Sequence, residues 1–282
     1  MDTDFASPPE DVIDELVATA MSAAGERVGR TGWRRVTHGS AHLVVLAGTV
    51  AVRVTRTPAA AVETVRTQRL IDLLPPLPFA VPRSLAKPVE ADGLIAVAQQ
   101  RLDGEPHPSG RGDGSSLRSL RDALRGVDLA PLRDNLAHPH AFFGGREGFR
   151  VLVRDAIALL DINVRDRALR AAEEMMAIEP GIQVLTHGDL AGSNVLWAAG
   201  SVSGVIDGDL AAAADEAKDV AALATWHGWE TLSPVVPSAV LRRARTIAAT
   251  YPLQLVAFAL QHGRTGIELE RAVERATQAY SR

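Results

Sequence analysis

The chain has 282 residues, 46% of them apolar and 23% charged, with no cysteine and a formal net charge of −4. Such a composition fits a globular protein that buries its core without disulfides or a cysteine-held zinc, and it excludes thiol catalysis and iron–sulfur chemistry. Its 30 basic residues are 28 arginines plus Lys87 and Lys218, scattered among acids rather than gathered in a stripe, so no nucleic-acid partner is expected.

The N-terminal stretch is acidic and lacks the basic start and apolar run of a signal peptide. The best apolar run, 253–260, is far too short to cross a bilayer, so no membrane partner and a cytoplasmic location are expected. Residues 10–24 place Val12, Ile13, Leu16, Val17, Ala20 and Met21 at helical spacing, which predicts an amphipathic helix. Residues 33–36, 43–46 and 50–54 are short branched runs separated by His38-Gly39-Ser40 and Ala47-Gly48-Thr49, and read as hairpin-connected strands. Residues 59–74 return to helical spacing and stop at Pro75-Pro76. Residues 89–100 read as another hairpin, because Asp92-Gly93 at their middle accepts the positive φ angles of a tight turn. A small antiparallel sheet with a helix packed on it is therefore expected in the first hundred residues.

Residues 103–116, polar and rich in Gly, Pro and Ser, mark a boundary; the Arg111-Gly112-Asp113 tripeptide within them reads as coincidence. Beyond it, helical patterns cover 117–126, 147–162, 164–179, 213–229, 237–249, 252–262 and 266–280. From 184 to 206 short strand-like pieces interrupt that pattern.

The interruption holds the informative residues: Thr186-His187-Gly188-Asp189, then Asn194 five residues after Asp189, then Ile206-Asp207-Gly208-Asp209. Phosphoryl transfer needs one carboxylate to accept or orient a hydroxyl proton, and a carboxamide and a second carboxylate to hold Mg²⁺ against phosphate oxygens. Asp189 fits the first role, and Asn194 and Asp207 fit the second. Any one of these short motifs is weak alone; their joint spacing after a β-rich region is far more specific. Between residues 181 and 240, seven acids (Asp189, Asp207, Asp209, Asp215, Glu216, Asp219 and Glu230) face one base, Lys218, a local balance of −6 that suits a divalent cation or a cationic substrate.

Taken jointly, these motifs resemble those of the aminoglycoside and macrolide phosphotransferase family, antibiotic kinases of protein-kinase-like fold, over nearly the whole chain. The stretch from His187 through Asp189 to Asn194 is similar to the family's catalytic loop, and Ile206 to Asp209 to its metal-binding strand end. Asp215 and Asp219 are similar to the acids of the segment that follows, the second of which supports the catalytic loop. Ala51-Val-Arg-Val-Thr-Arg56, Phe79-Ala-Val-Pro82, Phe143-Gly-Gly-Arg-Glu147 and the tail 249–260 look closest to macrolide 2′-phosphotransferases.

The resemblance implies an α+β, bilobal protein-kinase-like fold: a small β-rich N-terminal lobe over 1–98, a hinge over 99–104 and a larger helical C-terminal lobe over 105–282. It implies transfer of the γ-phosphate of GTP or ATP to the 2′-hydroxyl of a macrolide by a monomer, with Mg²⁺, a purine nucleotide and a small-molecule antibiotic as its partners. An aminoglycoside O-phosphotransferase or another small-molecule kinase is the alternative, and a nucleotide-binding pseudokinase a third reading. By the same resemblance Arg53 stands where a phosphate-holding lysine falls on the third strand. Its helix partner stays open: Glu63 is the one acid between Arg53 and Leu70, and Arg66, Thr67 and Gln68 occupy the region where an acid is expected. The turn 38–42, with Ser40, would cover the phosphates, while His38 and His42 themselves read as solvated turn histidines. Backbone groups around Gln99, Gln100, Arg101 and Leu102 would meet the purine. For the acceptor, Trp226, Trp229, Leu253, Val256 and Phe258 are candidates for an apolar wall, though residues at that spacing are more often core; Asp209 and Glu230 are candidates to meet the amine.

Overall fold

The computed structural model describes residues 5, 7–37, 39–138 and 145–282. Its helices are α1 Glu10–Ala23, α2 Pro58–Leu73, α3 Gly114–Arg125, α4 Gly145–Leu159, α5 Ile162–Ala177, α6 Ala217–His227, α7 Trp229–Leu232, α8 Ser238–Ala248, α9 Tyr251–Gln261 and α10 Ile267–Ser281. Its strands are β1 Arg34–Val36, β2 His42–Ala47, β3 Val50–Thr55, β4 Val89–Ala91, β5 Leu94–Gln100, β6 Glu105–Pro106, β7 Gln183–Thr186, β8 Val195–Ala198, β9 Ser201–Val205 and β10 Ala212–Asp215. They gather into two compact units. The first takes the chain up to Pro106 with Asp128–Leu136 and Ser193–Asp209; the second is His107–Val127, Ala137–Gly192 and Leu210–Arg282.

In the first unit five antiparallel strands pair in the order β1-β2-β3-β5-β4. Side chains alternate across a strand, so the sheet has two chemically different faces. Leu43, Val45, Val50, Val52, Val54, Ala96 and Ala98 share one face and pack against Ile13, Leu16, Val17, Ala20 and Met21 of α1. Each buried aliphatic of this kind is worth about 2 kcal/mol relative to exposure. That face, more than the intrinsic preference of a 14-residue helix, keeps α1 folded.

His42, Arg53 and Gln99 fall on the opposite face, as the pairings Val44↔Arg53, Arg53↔Val97 and Ala51↔Gln99 require. The helix α2 covers that face. It begins where the Thr57 hydroxyl accepts a bond from the Ala60 amide with Pro58 in the first turn, and it ends one residue short of the Leu74-Pro75 bond. Asp92 and Gly93 turn β4 into β5 with φ of +52° and +72°, as expected of that dipeptide. A smaller sheet in the same unit, β6-β8-β9, contains the hairpin that carries Asn194 and Asp207 at its ends.

In the second unit β7 and β10 pair antiparallel, and α4, α5, α9 and α10 share a core that includes Phe149, Val153, Leu160, Val164, Leu253, Val256 and Tyr280. Asp113, of the Arg-Gly-Asp tripeptide, caps α3 by accepting the Ser116 amide at 2.7 Å. Among the described residues no helix is long and apolar enough to cross a membrane.

Two expectations are corrected, and one open choice is decided for the core. The helix expected over 213–229 is a strand, β10, followed by two helices: the edge of β7 needs hydrogen-bond partners and alanine's helix preference yields to it, while Gly228, with φ +101°, parts α6 from α7. Leu253 and Val256, weighed for the acceptor wall, are fully buried core. His42 is buried rather than solvated. Residues 143 and 144 of the macrolide-like segment, and His38, lie outside the described residues.

Candidate active site

In the second unit, the loop after β7 is held by one buried carboxylate. Asp219, in the first turn of α6, accepts the amides of His187 at 2.7 Å and Gly188 at 2.9 Å. Burial pushes the Asp219 carboxyl up, against the pull of His187 and those two amides. Gly188 has φ +85°, and a Cβ on it would stand 2.3 Å from the Leu210 carbonyl oxygen, so the turn accepts only glycine. Asp189 follows directly, its amide donating to His187 Nδ1 at 3.3 Å. Lys218 sits in the field of Asp219 and Asp189, yet burial still holds its pKa below the usual lysine value.

Trp226 closes tightly on the end of this loop: a Cβ on Gly192 would meet its indole nitrogen at 1.8 Å, and that N–H donates to the His107 carbonyl at 2.9 Å. The Trp229 ring lies under the Arg245 guanidinium, 4.4 Å from the ring centroid. Phe258 packs on the His262 ring with 4.1 Å between centroids. Glu230 is exposed on α7. Asp215 pairs with Arg243 and accepts the amides of Gly181 at 2.7 Å and Ala217 at 2.9 Å, a structural role.

In the first unit, Asn194 precedes β8 and Asp207 closely follows β9. The pairing Val195↔Val205 and a bond from the Ile206 amide to the Asn194 carbonyl, 3.0 Å, bring both to the open end of one hairpin. Asp207 has φ +66°, a left-handed conformation that costs a non-glycine residue about 1–2 kcal/mol. Strain of this kind collects at functional positions, where the surrounding structure holds it. A carboxylate and a carboxamide are hard oxygen donors, the type magnesium takes while keeping waters and phosphate oxygens for its remaining positions, so the two residues fit such an ion.

Beside them Arg53, its side chain only 9% exposed, sends Nη2 to Asp209 Oδ2 at 2.7 Å, to Asp207 Oδ1 at 3.1 Å and to His42 Nδ1 at 2.9 Å. The tautomer of His42 follows from its neighbours. The Thr64 hydroxyl donates to the Ala60 carbonyl, so His42 Nε2, 2.6 Å from that oxygen, must be the donor there and Nδ1 the acceptor from Arg53. Burial, and then the charge of Arg53, push His42 down to about 3, which keeps the ring neutral. Burial also opposes the charge of Arg53, but Asp209 and then Asp207 outweigh it and raise its pKa. Burial likewise works against the Asp209 carboxylate, and Arg53 holds it well below the usual range. Asp209, expected at an acceptor amine, is thus engaged with Arg53.

Glu63 pairs with Arg66 at 2.8 Å rather than with Arg53. Gln99 points under α2, its amide donating to Gln68 Oε1 at 2.6 Å. The Gln100 amide is taken by the Arg83 carbonyl and the Arg101 amide by that of Thr49, while Leu102 packs beside Gly204. Ser40 is half-buried in a turn whose Gly39 carbonyl accepts a bond from Arg56 Nε at 2.9 Å. Sequence reasoning missed His42, Thr64 and Arg66 as parts of the site. The signal for His42 lay in the alternation of β2, which places it on the same face as Val44 and, by register, Arg53.

These features belong to a known class. The profile of the APH phosphotransferase enzyme family matches residues 32–256, and the chain belongs to that family. Viomycin phosphotransferase of Streptomyces vinaceus is 32% identical over 109 residues, which make up 35% of this chain and 38% of that relative, so the match spans well under half of the relative's length. The GDP complex of aminoglycoside 2′-phosphotransferase-IIIa superposes with a TM-score of 0.77 at 16% identity, covering 95% of this chain and 98% of the other. Macrolide 2′-phosphotransferase MphH from Brachybacterium faecium gives 0.68 at 21%, covering 94% and 98%. At such identities the two structures speak to the fold, a β-sheet unit and a helical unit of the kinase-like kind.

Proposed function

We propose that the chain is a magnesium-dependent antibiotic kinase that transfers the γ-phosphate of GTP or ATP to a sugar hydroxyl, with the 2′-hydroxyl of a macrolide as acceptor, working as a cytoplasmic monomer. The observation that carries the reading is Asp207: a carboxylate on a strained backbone, 49% exposed, sharing a hairpin mouth with Asn194 and standing beside the buried cation Arg53. The macrolide acceptor rests on the sequence likeness of 51–56, 79–82 and the 249–260 tail. An aminoglycoside acceptor is the second reading, favoured by the balance of −6 between residues 181 and 240.

In this mechanism Asp189 accepts the proton of the acceptor hydroxyl as its oxygen forms a bond to the γ-phosphorus, and the bond to the β–γ bridging oxygen breaks to release the nucleoside diphosphate. Asp207 and Asn194 hold magnesium, which when bound neutralises and orients phosphate oxygens. Arg53 binds phosphate through a geometry that suits a guanidinium. The Asp219 carboxylate keeps the backbone of His187 and Gly188 fixed so that Asp189 is presented in one orientation. Backbone groups around Gln99 to Leu102, other than the Gln100 and Arg101 amides taken by Arg83 and Thr49, are left to meet the purine.

The test is phosphate transfer by the purified full chain from GTP and from ATP to erythromycin, kanamycin and viomycin. Modification of erythromycin supports the macrolide acceptor. Modification of kanamycin without erythromycin replaces it with the second reading, and nucleotide binding without transfer to any acceptor, on this or a wider panel, points to the non-catalytic alternative.

A further inference from the structure

We propose that Asp209 is the positioning partner of Arg53 and that Arg66 of α2 fixes Asp209 in turn, so that the helix acts on the phosphate-binding cation through a cation of its own. The inference rests on the phosphotransfer reading only in taking Arg53 as a phosphate ligand.

A guanidinium as deeply buried as that of Arg53 needs a negative partner. The helix α2, which covers its face of the sheet, supplies none. Glu63 is 60% exposed and tied to Arg66, and the buried positions Thr64, Thr67 and Gln68 are neutral. His42 offers only a neutral acceptor. Of the two carboxylates in reach, Asp207 is half-exposed, lies at the longer distance and is the proposed magnesium ligand. Asp209 is nearer, at 2.7 Å, and more buried. Its other oxygen, Oδ1, is buried and makes no hydrogen bond among the described residues, so Arg53 is the cation whose charge this carboxylate balances.

The backbone of Asp209 is itself held. Arg66 Nη2 donates to its carbonyl at 2.8 Å while Nη1 donates to the Asn135 carbonyl at 2.6 Å. Where an acid on the helix would grip the strand cation directly, here an arginine on the helix grips the main chain that carries the acid. This arrangement reassigns Asp209 from the acceptor amine to the nucleotide side of the reaction.

The experiment measures GDP and ATP affinity with Mg²⁺ by calorimetry on full-length wild type, D209N, R53Q and the D209N/R53Q pair, with kcat and both KM values alongside. We expect D209N to weaken nucleotide binding by about tenfold or more, the scale of one charge-assisted buried bond, to leave the acceptor KM within about twofold, and to add nothing in the R53Q background. Unchanged nucleotide affinity in D209N, a rise confined to the acceptor KM, or additive effects in the double variant overturns the proposal.

A second measurement needs no nucleotide: proton exchange at Arg53 Nη2, the nitrogen that meets Asp209, by NMR in wild type, D209N and R66M. Slow exchange in wild type that both substitutions abolish supports the linkage, and unchanged exchange in D209N overturns it. A wild type that binds neither nucleotide defeats the phosphotransfer reading while the exchange result still decides the pairing.

Discussion

The loop after β7 and the cluster around Arg53 are both built from buried charge, yet they are held by opposite means. In the loop a carboxylate holds peptide groups: Asp219 accepts two amides about thirty residues back in the chain, and burial raises its pKa. Around Arg53 two carboxylates hold a cation, and they come from 154 and 156 residues further along. Hydrogen bonds donated by backbone amides to a carboxylate are directional and hold the main chain that carries them, so the first arrangement defines one conformation. A buried cation needs counter-charge first of all, and in the proposed mechanism this guanidinium also receives phosphate. The difference teaches that the same residue type, aspartate, serves as a frame in one unit and as a counter-charge in the other.

The sharpest way to break this comparison is at Asp189, the residue the frame presents in the proposed mechanism. Asp189→Asn should lower phosphate transfer by about a thousandfold, within the usual range for loss of a positioned base, and should leave the thermal midpoint within about 2 °C. Transfer at wild-type level would remove the purpose of the frame. Next in size, Asp219→Ala leaves one buried and one partly buried amide without an acceptor. At about 1–3 kcal/mol for each such group, a loss of roughly 3 kcal/mol is expected in denaturant unfolding, with about half of it recovered in Asp219→Asn. A loss under about 1 kcal/mol would show that the carboxylate is not what holds the loop. Gly188→Ala should cost about 2 kcal/mol, from a left-handed φ and a close approach to the Leu210 carbonyl.

The contrast also explains what was legible in the sequence. The sheet of the first unit was readable because each strand is short, branched and bounded by turn residues, and Asp92-Gly93 announces its own geometry. The α1 face was readable from spacing alone. The frame was legible through the family resemblance, which gave Asp219 as the support of the Asp189 loop; the β7–β10 pairing that brings the two together was not. The partners of Arg53 were not, because an ion pair bridging more than 150 residues leaves no periodicity in either segment, and α2 has no acid facing in to suggest one. The strand at 212–215 was missed for a related reason. Four residues beginning with three alanines carry no β signal, and only the open edge of β7 draws them into a ladder.

The smallest expected effect sharpens the comparison most, because Asp215 combines both devices. It accepts the amides of Gly181 and Ala217 as a frame does, and it pairs with Arg243 as a counter-charge does. Burial pushes its carboxyl up, but the Arg243 bond and the two amides outweigh burial and leave it below its ordinary value of 3.8. The folded protein therefore holds that proton less readily than the unfolded chain. The resulting stabilisation is present in full above the unfolded value and disappears as pH falls through the lowered folded value. Arg243→Gln removes the ion pair and keeps both amide bonds. It should cost about 1 kcal/mol at pH 7, a modest figure because the pair is partly exposed, and the deficit should shrink toward zero as urea unfolding is repeated at successively lower pH. Were the deficit equal at neutral pH and in acid, the lost packing of the arginine stem would be its source, and Asp215 would belong wholly with the frames.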